Sequence, residues 1–172
     1  MESSDKETKN DLNGISIPND RDMHVVLVEP DIPQNTGTIA RLCVATGSTL
    51  HLVGRLGFRL SDAKVRRAGL DYWEHARIIR HADLVECLES LQGAPVYYFS
   101  AHAKQTYTQA RFQKRSVLIF GSETRGLPKE MLEQTERCWT IPIFDRRVRS
   151  LNLATSVGIV LYEAIRQTEV DV

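Results

Sequence analysis

Three polar segments of the chain have the residue types of a small-molecule binding site. Segment 29–37 follows an apolar run and is rich in Pro, Gln, Asn, Thr and Gly. Segment 120–128 contains Gly121 and Gly126, and glycine lets a backbone approach a ligand closely. Segment 141–152 ends in Ser and Asn, which cap helix N-termini, where polar ligand groups also bind. Together these segments predict a binding site for a polar small molecule.

The spacing of residues within these segments excludes several common sites. The glycines of 120–128 match neither the Rossmann GxGxxG pattern nor a P-loop, so a nucleotide-phosphate site is disfavoured. The sequence contains no G-x-S-x-G element of a serine hydrolase. The five histidines are dispersed without HExxH spacing, and the three cysteines form no CxxC pair. We therefore expect no metal site.

Arg41 is an unusual residue for its position. It falls in the second turn of a helix that segment 29–37 leads into, among the apolar residues Ile39, Ala40, Leu42 and Cys43. A guanidinium group cannot lose its charge in proteins, and its five donors require acceptors. An intramolecular salt bridge and a contact to a ligand are both open explanations.

The elements around these segments alternate between strands and helices. Short β-branched runs predict strands at 23–28, 49–53, 76–79, 95–100, 116–120 and 138–141. Helical periodicity predicts helices at 36–46, 61–69, 81–91, 128–135 and 151–167. Such alternation is typical of an α/β fold with a mostly parallel sheet covered by helices on both faces. The three polar segments then lie at strand ends, where open α/β sheets bind ligands.

Length and composition indicate one domain. The 172 residues suffice for a single α/β domain, which we expect at 23–172, after a flexible polar extension at 1–22. Hydrophobic residues make up 42% and charged residues 26% of the chain, as in water-soluble globular proteins. The apolar runs are too short to cross a bilayer, and residues 1–22 lack a signal-peptide stretch. The cytoplasm is therefore the expected location.

The distribution of charge leaves nucleic-acid binding open. The formal net charge is zero, which by itself does not favour a nucleic-acid partner. Two groups of basic residues nevertheless occur, namely Arg55, Arg59, Lys64, Arg66 and Arg67, and then Arg146, Arg147 and Arg149. Each group is either a solvated surface or a phosphate-binding patch.

Four blocks of the sequence resemble the SPOUT-class RNA methyltransferases, in particular the small tRNA (cytidine/uridine-34)-2′-O-methyltransferases. The blocks are Val28-Glu29-Pro30 through Pro33-Gln34-Asn35-Thr36-Gly37 to Arg41-Leu42-Cys43, Arg66-Arg67-Ala68-Gly69-Leu70-Asp71-Tyr72, Phe120-Gly121-Ser122-Glu123-Thr124-Arg125-Gly126-Leu127-Pro128, and Ile141-Pro142 with Arg149-Ser150-Leu151-Asn152-Leu153. The resemblance spans residues 23–167. It implies a single SPOUT domain with a deep C-terminal trefoil knot, a rare exception to the usual rules of chain topology.

The resemblance also implies an activity. It implies a homodimeric enzyme that transfers a methyl group from S-adenosylmethionine to the ribose 2′-hydroxyl of the wobble nucleotide of tRNA, a cytidine or a modified uridine at position 34. The implied partner is the tRNA anticodon stem-loop, with no DNA and no membrane. A 2′-O-methyltransferase for another tRNA or rRNA position, and a non-catalytic RNA-binding SPOUT protein, are the alternatives.

The resemblance assigns roles to individual residues. The residues implied at the reacting hydroxyl are Arg41, usually across the dimer interface, with Asn35, Glu123, Ser150 and Asn152. Those implied around the cofactor are Phe99, Ser100, Gly121, Ile141, Ser150, Leu151 and Leu153. Those implied at RNA phosphates are Arg66, Arg67 and Arg149. Because arginine stays protonated, we expect Arg41 to orient the ribose and stabilise a developing alkoxide, without a metal. Tyr72 and Trp73 either stack on bases or pack in the core or dimer interface.

Overall fold

A computed structural model describes residues 11–12, 15–16, 22–61, 63, 67, 70–133 and 136–168 of the chain. Its strands are Asp11–Leu12 (β1), Ile15–Ser16 (β2), His24–Val28 (β3), Thr49–Val53 (β4), Ile78–His81 (β5), Val96–Phe99 (β6), Gln105–Thr106 (β7), Val117–Phe120 (β8) and Cys138–Thr140 (β9). Its helices are Pro33–Thr46 (α1), Leu84–Ser90 (α2), Lys129–Glu133 (α3) and Leu153–Thr168 (α4), with short 3₁₀ helices at Leu70–His75 and Tyr107–Gln109.

Seven strands form one sheet in the order β5-β4-β3-β8-β6-β9-β7, and every neighbouring pair is parallel. Strand β3 pairs with β4 on one side and with the central strand β8 on the other. The prediction of a mostly parallel α/β sheet is therefore confirmed. Strand β8 lies between β3 and β6 although it follows both in the chain, an order that fits a knotted chain. The trefoil knot itself stays a prediction.

The inner strands β3, β4 and β8 are buried on both faces of the sheet, which explains why they are almost continuously apolar. Helices α1 and α4 cover the face that carries Leu27, Leu52 and Phe120. Helix α2 packs against the opposite face, where Val26, Val53 and Ile119 lie. Fully burying a branched aliphatic side chain contributes about 1.5–3 kcal/mol, so both layers stabilise the sheet.

The helix ends differ from their predicted positions for local reasons. Helix α1 begins at Pro33 rather than at 36, because proline has the backbone angle of a first helical turn and needs no hydrogen-bond acceptor there. Helix α2 begins only after Asp83, whose carboxylate accepts a hydrogen bond from the Glu86 amide at 2.9 Å. Residues 78–81 form strand β5 instead, two residues beyond the predicted strand. Most of the helix predicted at 61–69 lies outside the described residues.

Helix α4 and the N-terminal region test two further predictions. The helix predicted at 151–167 is observed as α4, and its apolar residues Leu153, Val157, Leu161 and Ala164 are all buried. Within the predicted extension, β1 pairs antiparallel with β2, and the rest of residues 1–21 lies outside the described part. The boundary at residue 23 stays a prediction. Among the described residues, no helix is long and apolar enough to cross a membrane.

Candidate active site

A pocket of about 650 Å³ opens at the carboxyl ends of β6, β8 and β9 and is closed by the start of α4. Residues of all three polar segments line it, together with the end of β6. All seven residues that the family resemblance assigns to the cofactor are among its lining: Phe99, Ser100, Gly121, Ile141, Ser150, Leu151 and Leu153. Its volume is in the range of about 300–1,000 Å³ that small-molecule sites occupy.

Gly121 is required by the backbone that forms one wall of the pocket. A Cβ atom at this position would lie 2.1 Å from the carbonyl carbon of Gly126 and 2.2 Å from the amide nitrogen of Leu127. Gly126 has φ +67°, a conformation that side chains rarely adopt, and its amide donates to the Ser122 carbonyl at 2.9 Å. The two glycines thus fold segment 121–127 tightly enough to expose its backbone to the pocket.

Glu123 is held by groups from the start of α1. One carboxylate oxygen accepts a hydrogen bond from the Asp31 amide at 2.7 Å, and the other accepts from the Asn35 side-chain amide at 2.9 Å. A negative charge is favourable near a helix N-terminus, and Ile32, the residue before α1, makes no side-chain cap of its own. Because both oxygens are occupied, the geometry favours a positioning role for Glu123.

Asn35 and Asn152 extend this network to α4. The Asn35 oxygen accepts a hydrogen bond from the Asn152 side-chain amide at 2.9 Å. The Asn152 oxygen in turn accepts from the amide of Ala154 at 2.9 Å, which caps the helix. Asn35, Glu123 and Asn152 are three of the residues assigned to the reacting hydroxyl. The structure therefore brings them together in one hydrogen-bonded chain at the pocket, where Ser150 also lies.

Within one chain, Arg41 lies outside the pocket. Its side chain is exposed and does not line the pocket. The guanidinium carbon is 5.0 Å from the centre of the Tyr72 ring, a cation–π contact. The partner that the sequence left open is thus an aromatic ring. Trp73 packs against the core, which is one of the two alternatives that the sequence left open for this residue.

The arginines assigned to RNA are divided between different places. Arg149 is exposed and lies on the pocket lining. Arg67 is exposed but does not line the pocket, and Arg66 lies outside the described residues. Their contacts to RNA stay predictions.

Trp139 lines the pocket but was missed by the sequence analysis. Its ring centroid is 6.4 Å from that of Phe99, and its indole nitrogen is buried without a hydrogen-bond partner in the described part of the chain. Tryptophan usually pairs its N–H group when it is buried, so this unpaired donor is an exception. Only its position at the end of a short strand could have indicated this role.

Comparison with known proteins defines the class of the chain. Residues 22–162 match the model of the SpoU rRNA Methylase family, and the chain therefore belongs to this family of methyltransferases. The membership expected from the four sequence blocks is confirmed, and so is the assignment as an enzyme.

The relatives narrow the class further. A protein of Burkholderia cenocepacia named tRNA (cytidine(34)-2′-O)-methyltransferase is 44% identical over 148 residues, which are 84% of this chain and 94% of the relative. A solved structure described as giving insights into the 2-OH methylation of C/U34 on tRNA is 47% identical. It aligns with a TM-score of 0.81 over 86% of this chain and 96% of its own.

A third comparison concerns the cofactor. An rRNA methyltransferase from Sinorhizobium meliloti, solved with AdoMet bound, is 29% identical and aligns with a TM-score of 0.74. The alignment covers 84% of this chain and 56% of that protein. Members of the family with this fold thus bind AdoMet, which is S-adenosylmethionine.

Proposed function

We propose that this chain transfers a methyl group from S-adenosylmethionine to the ribose 2′-hydroxyl of nucleotide 34 of tRNA, a cytidine or modified uridine, and does so as a homodimer. The observation that carries the proposal is the pocket at the strand ends, which all seven residues assigned to the cofactor line. Relatives that cover most of the chain are named for methylation at this tRNA position.

The pocket suits the chemistry of S-adenosylmethionine. Phe99, Ile141 and Leu153 supply apolar walls for the adenine ring, while the backbone exposed by Gly121 supplies hydrogen-bonding groups. The indole ring of Trp139 adds a further apolar surface. This cofactor has no phosphate, which agrees with the absence of a phosphate-binding loop from the sequence.

When bound, S-adenosylmethionine supplies an electrophilic methyl group on a sulfonium sulfur. Transfer of this methyl group to the 2′ oxygen would leave the electron pair of the broken carbon–sulfur bond on sulfur. The 2′-hydroxyl would lose its proton to solvent water. The Glu123–Asn35–Asn152 network holds the loops that align the two reacting groups, and such positioning lowers the barrier substantially.

Arg41 enters this mechanism through a second copy of the chain. Within one chain its guanidinium stays on the ring of Tyr72, away from the pocket. We propose that Arg41 of one chain reaches the pocket of the other, where it orients the ribose and stabilises the developing alkoxide. Arg149 at the pocket, with Arg66 and Arg67, contacts RNA phosphates and makes binding sensitive to salt.

The first experiment measures methyl transfer from labelled S-adenosylmethionine to tRNA that lacks wobble 2′-O-methylation, with mapping of the labelled nucleotide. Label at nucleotide 34 supports the proposal. We expect Arg41→Ala to lower the rate by at least about 100-fold, as loss of a donor to a developing oxyanion does. Arg111→Ala, which removes an exposed arginine outside the pocket, is the matched control and keeps the rate.

Other outcomes point to the alternatives. Label at another tRNA position or in rRNA would reassign the substrate. Cofactor and RNA binding without transfer to any RNA would favour a non-catalytic RNA-binding protein.

A mixing experiment tests the contribution of the second chain. Arg41→Ala removes the arginine, and Ser150→Trp fills the pocket from its exposed rim. If Arg41 acts across the interface, mixed dimers of these two inactive variants contain one intact site and regain activity. If Arg41 acts within its own chain, no mixed dimer has an intact site and the mixture stays inactive.

A further inference from the structure

Three histidines form a buried row on the face of the sheet that α2 covers. His24, His51 and His81 lie on the adjacent strands β3, β4 and β5, and the strand register places all three side chains on one face. His24 Nδ1 is 3.0 Å from His51 Nε2, and His51 Nδ1 is 2.9 Å from His81 Nε2. Their exposed fractions are 7%, 1% and 6%. None of the three lines the pocket described above.

The ring nitrogens of this row are incompletely hydrogen-bonded. Each of these two contacts runs from one imidazole to another, and His24 Nε2 is buried without a partner among the described residues. Burial, with smaller contributions from His24 and His81, lowers the pKa of His51 to about 3, so this ring is neutral. A buried polar group without full pairing costs free energy, and a neutral imidazole is a metal ligand.

Cys87 completes the cluster from the helix above. It lies fully buried on α2 and packs against the same face of the sheet as Val26 and Val53. Its sulfur, one nitrogen of His51 and one nitrogen of His81 all lie within 4.8 Å of one another. Burial, and then the nearby Glu86 carboxylate, raises the pKa of the Cys87 thiol to about 11. Without a metal this residue is therefore a thiol.

We propose that His51, His81 and Cys87 form a binding site for one Zn²⁺ ion, with His24 as the hydrogen-bond partner of His51. Two imidazoles and a thiolate are a ligand set that zinc prefers, and water can take a fourth position. His51 binds through Nδ1, and its Nε2–H donates to His24 Nδ1, the outer contact that metal-bound histidines usually make.

Zinc binding releases one proton from the site and moves a second one within it. The Cys87 thiol loses its proton to solvent, and the ring proton of His81 moves from Nε2 to Nδ1 by exchange with water. Because zinc bonds are about 2.0–2.3 Å long, ligand atoms of a tetrahedral site lie about 3.3–3.6 Å apart. The two nitrogens, now 2.9 Å apart, would separate slightly, and the sulfur would lie within bonding distance of the same ion. The ion would tie α2 and the edge strand β5 to the inner strand β4. The site is separate from methyl transfer and does not depend on the proposed function.

Metal analysis of the full chain tests this site. The protein is stripped with a chelator, reloaded with Zn²⁺, passed over a gel-filtration column and assayed for zinc. The thiolate-to-metal absorption of the Co²⁺-loaded wild-type protein gives a second readout that needs no variant. We expect one zinc ion per chain and this absorption band.

Two variants locate the ligands. Cys87→Ser should weaken zinc binding by more than about 100-fold, and His24→Ala by roughly 10–100-fold, as outer partners do. Cys43→Ser is the matched control, because Cys43 is equally buried but packs in the core on the other face of the sheet. Folded wild-type protein without zinc and without the cobalt band would overturn the proposal, as would a folded Cys87→Ser variant that binds like the wild type.

Discussion

The pocket and the histidine row differ in how their polar side chains are hydrogen-bonded. At the pocket, Glu123, Asn35 and Asn152 pair with backbone amides and with one another at helix ends, near solvent. In the row, His24 and His51 are buried, and the hydrogen-bond partners of their rings among the described residues are neighbouring imidazoles. The first arrangement is satisfied without a ligand, whereas the second leaves a buried nitrogen unpaired. Loops at strand ends can supply partners that the flat face of a sheet cannot.

The largest effect that sharpens this comparison is expected for Gly121→Ala. Its Cβ would lie 2.1 Å from backbone, so segment 121–127 must shift into or away from the pocket. Overpacking of this kind costs about 1–3 kcal/mol. If the strain displaces the pocket wall, the affinity for S-adenosylmethionine should fall by up to about 100-fold. Calorimetric titration measures it. Gly158→Ala is the control, since Gly158 has no positive φ and the nearest atom to its added carbon would lie 3.9 Å away. Equal affinity for S-adenosylmethionine in the two variants would contradict the role of segment 121–127 as a wall of the cofactor site.

Glu123→Gln tests whether the pocket network depends on a carboxylate. The amide cannot accept on both sides, so its NH₂ group would face the amides of residues 31–35. We expect a loss of about 1–3 kcal/mol in the free energy of unfolding, measured by urea titration. Glu130→Gln, an exposed change on α3, should leave stability unchanged. A Glu123→Gln variant as stable as the control would mean that the network carries little energy.

The histidine row should make the metal-free protein sensitive to acid. The pKa of His51 is about 3 in the folded chain, below its ordinary value of 6.5, so the unfolded chain binds more protons between these values. Stability is therefore complete above pH 6.5 and falls as the pH falls towards 3, by about 2 kcal/mol at pH 5. Unfolding followed from pH 7.5 to 5 measures this. His51→Leu should flatten the profile, while the exposed His102→Gln change should not.

The smallest effect is expected at the exposed rim of the pocket. Arg125 pairs with Glu29 at 3.2 Å and with Asp31 at 3.8 Å, but its side chain is 63% exposed. Exposed ion pairs contribute about 0–1 kcal/mol, so Arg125→Ala should change the unfolding free energy by less than about 1 kcal/mol. Thermal unfolding at low and high salt measures the difference. A larger loss would show that the rim supports the network beneath it.

The sequence predicted most of the sheet because its strands are buried on both faces. The strand at 49–53 was predicted at its observed bounds, since it is an unbroken buried run. Strand β5 was placed two residues early, because the buried His81 carries no hydrophobic signal. Strand β7, a polar pair at the sheet edge, was missed for the same reason.

The candidate site was predicted more completely than the histidine row. Glycine spacing and helix-capping residues are local signals, and they marked segments that do line one pocket. The histidines were judged to be dispersed because His24 and His51 are 27 residues apart, and His51 and His81 are 30 apart. Spacing rules for metal sites detect ligands within one element, and this cluster takes its ligands from separate strands and a helix.

By itself, the sequence determined the alternation of strands and helices, the three polar segments that line the pocket and the membership of the methyltransferase family. The tertiary structure decided which elements meet. Strand order and register brought Asn35 to Glu123 and Asn152, which are 88 and 117 residues away, and left Arg41 outside the pocket of its own chain. The physical reason is that local patterns report the burial of a residue, whereas the order of parallel strands depends on contacts between distant parts of the chain.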